Sequence, residues 1–356
     1  MSFIERQQEP VLILDTDRCK RNIDRMAKRA KAAGCDFRPH FKTHQSRQIG
    51  QWFRNAGVTG ITVSSVSMAE YFIQDGWNDI TIAFPFFLQQ LEGLKEIENK
   101  ASLRLFVNSV NDLELLNREL KNSFKFFIEI DPGAGRSGIS FKETELISKL
   151  IKSSKPYKKS TFHGFYIHDG RTYQARSKKE IQDRINPTID ILVDLKSQFP
   201  EAVISTGDTP SASTSDRLDE LDEMTPGNFV FYDYMQVQIG SCSLDDVALF
   251  AVLPVAQSIS GANRTILHGG AVHLSKEFLP SGNEKNFGQI IRYFVGSNIS
   301  ETNLFVSAIS QEHGTVQGLL PDHYAWVCPI HSCLTANLHS QYFTTNGKAI
   351  EKRILS

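Results

Sequence analysis

No segment of the chain stays apolar for the ~18 consecutive residues that a membrane-spanning helix needs, and nowhere do lysines and arginines gather into a run. The first absence excludes a helical membrane anchor. The second, with a formal net charge of -1, argues against nucleic acid as the main partner. Cysteine is scarce: five residues, at 19, 35, 242, 328 and 333, an odd and scattered set. The opening residues MSFIERQQEP hold no apolar core of a secretion signal. Together these predict reduced thiols and a cytoplasmic protein, not a disulfide scaffold. No internal repeat or low-complexity tract stands out, which removes solenoids and flexible arrays.

The chain of 356 residues is long enough for a large domain and a smaller one. VLILD (11–15) reads as a strand, followed by a helix that Thr16 or Asp17 caps and Gly34 stops. Strand-like runs then recur at 35–40, 60–65, 79–84, 103–107, 125–130, 161–168, 202–206 and 228–232, with helical stretches between most of them. Pro187 predicts a break, with Asn186 capping a second helix. Eight strands at βα spacing after VLILD predict a parallel (β/α)8 barrel over residues 15–245, with an open doubly wound sheet as the alternative. From about 246 the helical period fades into β-rich runs, VALFAVLPVAQSI, RTILHGGAVHL, NLFVSAIS and HYAWVCPIHSC. These predict a C-terminal β domain over 246–356 that borrows the strand of residues 1–14.

A barrel carries its chemistry just past the C-terminal ends of its strands, and the unusual polar motifs fall there. RPHFKTH (38–44) places Lys42 between His40 and His44, two residues beyond a strand end. A lysine there serves as an amine nucleophile toward a carbonyl. STGDTPS (205–211) joins Gly207 to small hydroxyls before a helix start and suits a phosphate. Gly227 and Asn228 of TPGNFVFYD (225–233), a motif that spans the predicted eighth strand, add donors. DPGAGRSG (131–138) contains a G-x-G-x-x-G at Gly133, Gly135 and Gly138, so a dinucleotide site enters as an alternative. Its mid-chain place and the Arg136 within the loop favour Arg136 as a cation facing a cofactor oxygen. In CPIHSC (328–333), His331 and Cys333 stand two apart. On an extended strand they share a face, with Cys328 of opposite parity. Imidazole and thiolate suit zinc, and two protein ligands leave positions open.

Taken together these motifs resemble the alanine racemase-like, fold-type III enzymes that use pyridoxal phosphate (PLP), and more closely the D-serine dehydratase and D-threonine aldolase group. The motifs RPHFKTH, DPGAGRSG, HDGRTY, STGDTPS, PGNFVFYD, QEHG and PIHSCLTANL carry the likeness, in order, over nearly the whole chain. The resemblance implies an alanine racemase-type barrel with a β domain, working as a homodimer. It implies Lys42 as the Schiff-base lysine, Arg136 near the cofactor ring, and His168 and Tyr173 packed on or beside the pyridine. Thr206, Gly207, Gly227 and Asn228 match phosphate-loop positions, and His331 and Cys333 match the zinc pair of the dehydratase branch. The aldolase branch has Asp in place of that cysteine, so Cys333 points to dehydration. Thr225 stands where alanine racemases carry Arg, which argues against simple racemisation. LHGGAVHLSKE (267–277) departs from the family wording, in which an Asp is common near His268.

The expected activity is therefore a PLP- and zinc-dependent lyase acting on a small β-hydroxy D-amino acid, with D-serine dehydrated to pyruvate and ammonia. Zinc is expected before manganese or magnesium. The alternatives are aldol cleavage of D-threonine or 3-hydroxy-D-aspartate, racemisation, a PLP-binding homeostasis protein, and an NAD-dependent dehydrogenase. His163 is expected in the core, and His273, His323 and His339 on the surface or in the β domain. Glu312 and His313 are considered for reaching the metal or substrate but are not committed to it, and His268 is left unassigned.

Overall fold

The computed structural model describes residues 3–293 and 298–354. The chain divides into two compact units, one of residues 25–42 and 53–227, the other of residues 1–24, 43–52 and 228–356.

In the first unit eight parallel strands lie in the order Asp36–Phe37, Glu223–Met224, Val203–Thr206, Ser160–Ile167, Phe124–Asp131, Ser102–Phe106, Asp79–Pro85 and Ile61–Val63. A parallel bridge between His40 and Thr62 joins the two ends, so the sheet closes into the expected (β/α)8 barrel. The strands are near-continuous apolar runs because both faces of a parallel sheet are covered; Phe126, Phe127 and Ile128 are fully buried. One end of the barrel interior holds ions instead. Arg38 pairs with Asp79 at 2.6 Å, and Arg104 bridges Asp79 at 3.2 Å and Glu223 at 2.7 Å. Ser205 donates to the same Glu223 carboxylate at 2.9 Å. His163 stacks edge-on against Phe127, 5.0 Å between centroids, and burial holds its pKa down near 4.

Three local expectations fail here. The apolar run 228–232 is not the last strand. Residues Asn228–Val230 form a 3-10 turn, and Tyr232 takes a left-handed backbone at φ 47°. The eighth strand is Glu223–Met224, paired with Ser205–Thr206 and with Asp36–Phe37, so TPGNFVFYD follows a strand and does not span one. Pro226 and Gly227 stop the pairing, since proline brings no N–H to a ladder. Helix Lys178–Gln198 runs straight through Pro187. A proline inside a helix costs about 3 kcal/mol, and the unbroken buried face Ile181, Ile185, Thr188, Ile189, Leu192 and Leu195 outweighs it. Helix Thr16–Ala33 is capped by Asp15, not by Thr16 or Asp17: its carboxylate accepts from the backbone N–H of Asp17 and Arg18 at 3.1 and 3.0 Å. Gly34 ends it, at φ 68°.

Gly164 lies opposite Val203 in the barrel ladder, and a Cβ there would sit 1.9 Å from the Val203 carbonyl oxygen. Backbone cannot give way as a flexible side chain does. Gly164→Ala is expected to cost roughly 3 kcal/mol and lower the melting temperature by about 6–12 °C, read by thermal unfolding; an unchanged midpoint would refute the close approach.

The second unit is built on a nine-stranded, mostly antiparallel sheet. Val11–Leu14 pairs antiparallel with Leu249–Ile259, Val11 opposite Val252, and parallel with Gln341–Thr344. Leu249–Ile259 also pairs with Tyr324–Pro329 and with Arg264–His268. Strand Tyr324–Pro329 leads through Ile330 and His331 into helix Ser332–Asn337.

Candidate active site

Within the barrel unit the motif residues converge at the C-terminal ends of the strands. Lys42 follows strand Asp36–Phe37 and the His40 bridge in a tight turn, half-buried, its backbone N–H directed to the His40 ring at 3.4 Å. His168 follows strand Ser160–Ile167 and hydrogen-bonds the backbone of Gly207. Burial, then the charges of Lys42 and Arg136, press its pKa down to about 3, so the ring is neutral at physiological pH. Lys42, Arg136, His168 and Gly207 are thus brought within electrostatic or hydrogen-bonding reach of the same ring. The Tyr173 ring lies 6.3 Å from that of His168, and its hydroxyl accepts from the Thr209 N–H at 3.5 Å.

Thr206 ends strand Val203–Thr206, and Asp208 caps the short helix Thr209–Thr214 by accepting from the Ser211 N–H at 2.8 Å. Thr172 donates to the same carboxylate at 2.8 Å, and burial lifts the Asp208 pKa to about 6. The Thr206 and Ser211 hydroxyls are buried with no hydrogen-bond partner among the described residues. Two orphaned hydroxyls cost about 1–3 kcal/mol each, and an oxyanion seated there would relieve both, so the residues fit a phosphate. Gly207 between them is required by space. A Cβ would lie 2.0 Å from the Tyr166 hydroxyl and 2.5 Å from Thr225 Oγ1, two groups that hydrogen-bond each other at 3.2 Å.

The G-x-G-x-x-G loop is already filled. One oxygen of Asp131 accepts from the backbone N–H of Gly133, Ala134 and Gly135 at 2.9, 2.7 and 3.1 Å. Donors that a dinucleotide phosphate needs are spent on an internal carboxylate, and the two-residue strand Ile139–Ser140 follows where a helix should begin. The dehydrogenase alternative is set aside on that ground.

In the second unit, His331 and Cys333 do meet, by a different route from the one the sequence suggested. The strand ends at Pro329; His331 is extended at the N-cap of helix Ser332–Asn337, and Cys333 lies in its first turn. Their side chains hydrogen-bond. Burial works to lower the His331 pKa, but Cys333, Asp233 and Glu277 outweigh it and raise it to about 9. Thr43 Oγ1 lies 3.2 Å from the Cys333 sulfur, and the Asn228 amide donates to that sulfur at 3.5 Å. Asn228 also donates to Asp233 at 2.6 Å and to Ser332 at 3.0 Å, while Asp233 accepts from the Ser332 N–H at 2.9 Å. The buried Asp233 therefore fixes both the turn and the helix start that present the pair. A soft thiolate and an imidazole, both half-buried and held from behind, fit a borderline cation such as zinc with positions left for other ligands. Cys328 is fully buried and its thiol is pushed well above the ordinary range by that burial. Thr43 and Asp233 were missed, although both lie inside quoted motifs; only their contacts reveal their part.

Two family models match the chain. Residues 14–235 match the alanine racemase N-terminal domain and residues 248–345 the putative serine dehydratase domain. Among curated relatives, the D-threo-3-hydroxyaspartate dehydratase of Delftia sp. (strain HT23) is 30% identical over 295 residues, covering 78% of this chain and 76% of that protein. The D-serine dehydratase of Dictyostelium discoideum is 28% identical over 372 residues, covering 95% and 93%. The solved structure of the Delftia dehydratase superposes with a TM-score of 0.90 at 25% identity, covering 99% of each chain.

Proposed function

Since the chain belongs to the alanine racemase N-terminal domain family, we propose that it is a PLP-dependent lyase that removes water from a β-hydroxy D-amino acid, D-serine foremost, giving a keto acid and ammonia. The observation that carries the choice of dehydration is the His331–Cys333 pair, which lies in the segment matching the putative serine dehydratase domain and is braced by Asn228, Asp233 and Thr43 from outside that segment.

When bound, PLP supplies an electron sink for the bond broken at the substrate Cα. Lys42 would hold the cofactor through its Nζ, and the same amine would serve as the base that takes the proton from the substrate Cα. Thr206 Oγ1, Ser211 Oγ and the Gly207 and Gly227 backbones would hold the phosphate. The Asn228 amide serves the Cys333 network, so its part at the phosphate falls to the backbone N–H. Neutral His168 offers a flat surface to the cofactor ring without adding a third positive charge beside Lys42 and Arg136. Tyr173 packs alongside. His331 and Cys333 would hold zinc, which supplies a Lewis acid for the β-hydroxyl. Five free cysteines suit a reducing, cytoplasmic setting, and we take the enzyme to be a homodimer.

Incubating the purified protein with D-serine, D-threonine and threo-3-hydroxy-D-aspartate, with L-serine as control, tests the reading. Keto acid and ammonia in equal amounts from a D-substrate are expected. Glycine plus an aldehyde would move the assignment to an aldolase, D-to-L interconversion without ammonia to a racemase, and tight PLP binding without turnover to a binding protein.

A further inference from the structure

We propose that His268, His273 and Glu312 form a second divalent-metal site with a ligand set distinct from His331 and Cys333. The three come from separate segments: the last residue of strand Arg264–His268, the one-turn helix Ala271–Leu274, and the turn before strand His313–Gln317. One ligand atom from each lies within 4.8 Å of the other two. The backbone sets this convergence in advance. Gly269 N–H donates to the Glu312 carbonyl at 2.8 Å and Ala271 N–H to that of Ser310 at 2.8 Å. Gly270 lets the segments close, because a Cβ there would sit 2.4 Å from the carbonyl oxygens of Ser310 and Gln311.

The present contacts of the three are long ones: His273 Nδ1 accepts from the Gly270 N–H at 3.4 Å, His268 Nδ1 lies 3.3 Å from the Gln8 carbonyl oxygen, and Glu312 accepts from the Gln311 amide at 3.2 Å. The His273 ring nitrogen stands 3.9 Å from the Glu312 carboxylate, beyond a hydrogen bond. Zinc with bonds near 2.0–2.1 Å holds its ligand atoms about 3.4 Å apart; rotation of half-buried side chains closes the gap. Glu9 carries a carboxylate oxygen 3.5 Å from His268 and is at hand as a fourth ligand. Two imidazoles and a carboxylate favour zinc, nickel or cobalt over magnesium or calcium. The site would also brace the other pair. The His339 ring contacts the His273 carbonyl at 3.0 Å, and Thr335, in the helix that carries Cys333, donates to the Leu274 carbonyl at 2.9 Å.

The test is equilibrium dialysis of the full-length PLP-loaded protein against zinc chloride, followed by metal analysis. Wild type is expected to retain two equivalents and Cys333→Ala one. Cys333→Ala combined with His268→Gln and His273→Gln is expected to retain none, at an unchanged circular dichroism spectrum. Should the triple variant fail to fold, Cys333→Ala with Glu312→Gln is expected to lose most of the remaining zinc. Loss of all zinc in Cys333→Ala, or persistence of the last equivalent without His268 and His273, would overturn the site. A single wild-type equivalent that survives Cys333→Ala but not the histidine substitutions would instead sink the His331–Cys333 assignment and leave this one standing.

Discussion

Lys42→Ala is expected to erase the visible absorption band of the PLP-loaded protein and to lower turnover by on the order of 10³-fold or more, because in the proposed function one amine would carry both the covalent hold on the cofactor and the proton at Cα. The fold should survive. The side chain is half-buried at the barrel mouth, and the hydrogen bond of this residue to His40 comes from its backbone, which alanine keeps. Melting temperature and circular dichroism are therefore expected to stay near wild type, separating a chemical defect from an unfolded protein. Lys42→Arg should fail equally: guanidinium keeps the charge that helps hold His168 neutral but stays protonated, so it provides no amine nucleophile. The decisive reading is spectroscopic. A visible band that persists in Lys42→Ala and bleaches on adding borohydride would mean another lysine holds the cofactor, and the barrel-mouth assignment would fall with it.

The barrel was legible because its strands are apolar runs at regular spacing, and parallel strands buried on both faces advertise themselves. What misled was a run with the same composition and a different reason for burial. Phe229, Val230 and Phe231 are fully buried, as strand residues would be, but they follow Pro226-Gly227 in a tight turn. The true eighth strand is two residues long and begins with Glu223, a carboxylate that Ser205 on the neighbouring strand helps but that Arg38 and Arg104, far away in the chain, make tolerable. Such compensation across more than a hundred residues leaves no local trace. The Pro187 expectation failed for a related reason, since tertiary packing outweighed a local rule. At the site, the polar motifs stood out because they interrupt apolar strands at their ends. The partnership of Thr43 with Cys333, and of Asp233 with Asn228 and Ser332, required three dimensions. His331 and Cys333 were paired for the wrong geometric reason: strand parity does not apply to a helix cap, where the chain turns and brings i and i+2 together.

Cys333→Ala is the sharper probe of that pair, because the structure predicts that it removes chemistry and leaves architecture. Helix Ser332–Asn337 is held by the Ser332 N–H to Asp233, and Asn228 keeps its bonds to Asp233 and Ser332 when the sulfur is gone. The contacts of Thr43 and Asn228 to sulfur disappear, and so does the hydrogen bond of Cys333 to His331, so the stability change should stay within about 1–3 kcal/mol. Loss of one of the two proposed ligands to a cation is a different matter. A Lewis acid at a leaving hydroxyl is worth several kcal/mol of transition-state stabilisation, so keto acid formation from D-serine should fall by about 10²–10³-fold. The PLP band should remain, since Lys42 and the Thr206–Ser211 cradle belong to other motifs. Cys333→Asp, an oxygen donor in the same place, should restore metal binding and reveal through its products whether this one ligand sets the balance between loss of water and cleavage of Cα–Cβ. Undiminished dehydration by a Cys333→Ala protein shown to have lost the metal held there would strip the His331–Cys333 pair of its role.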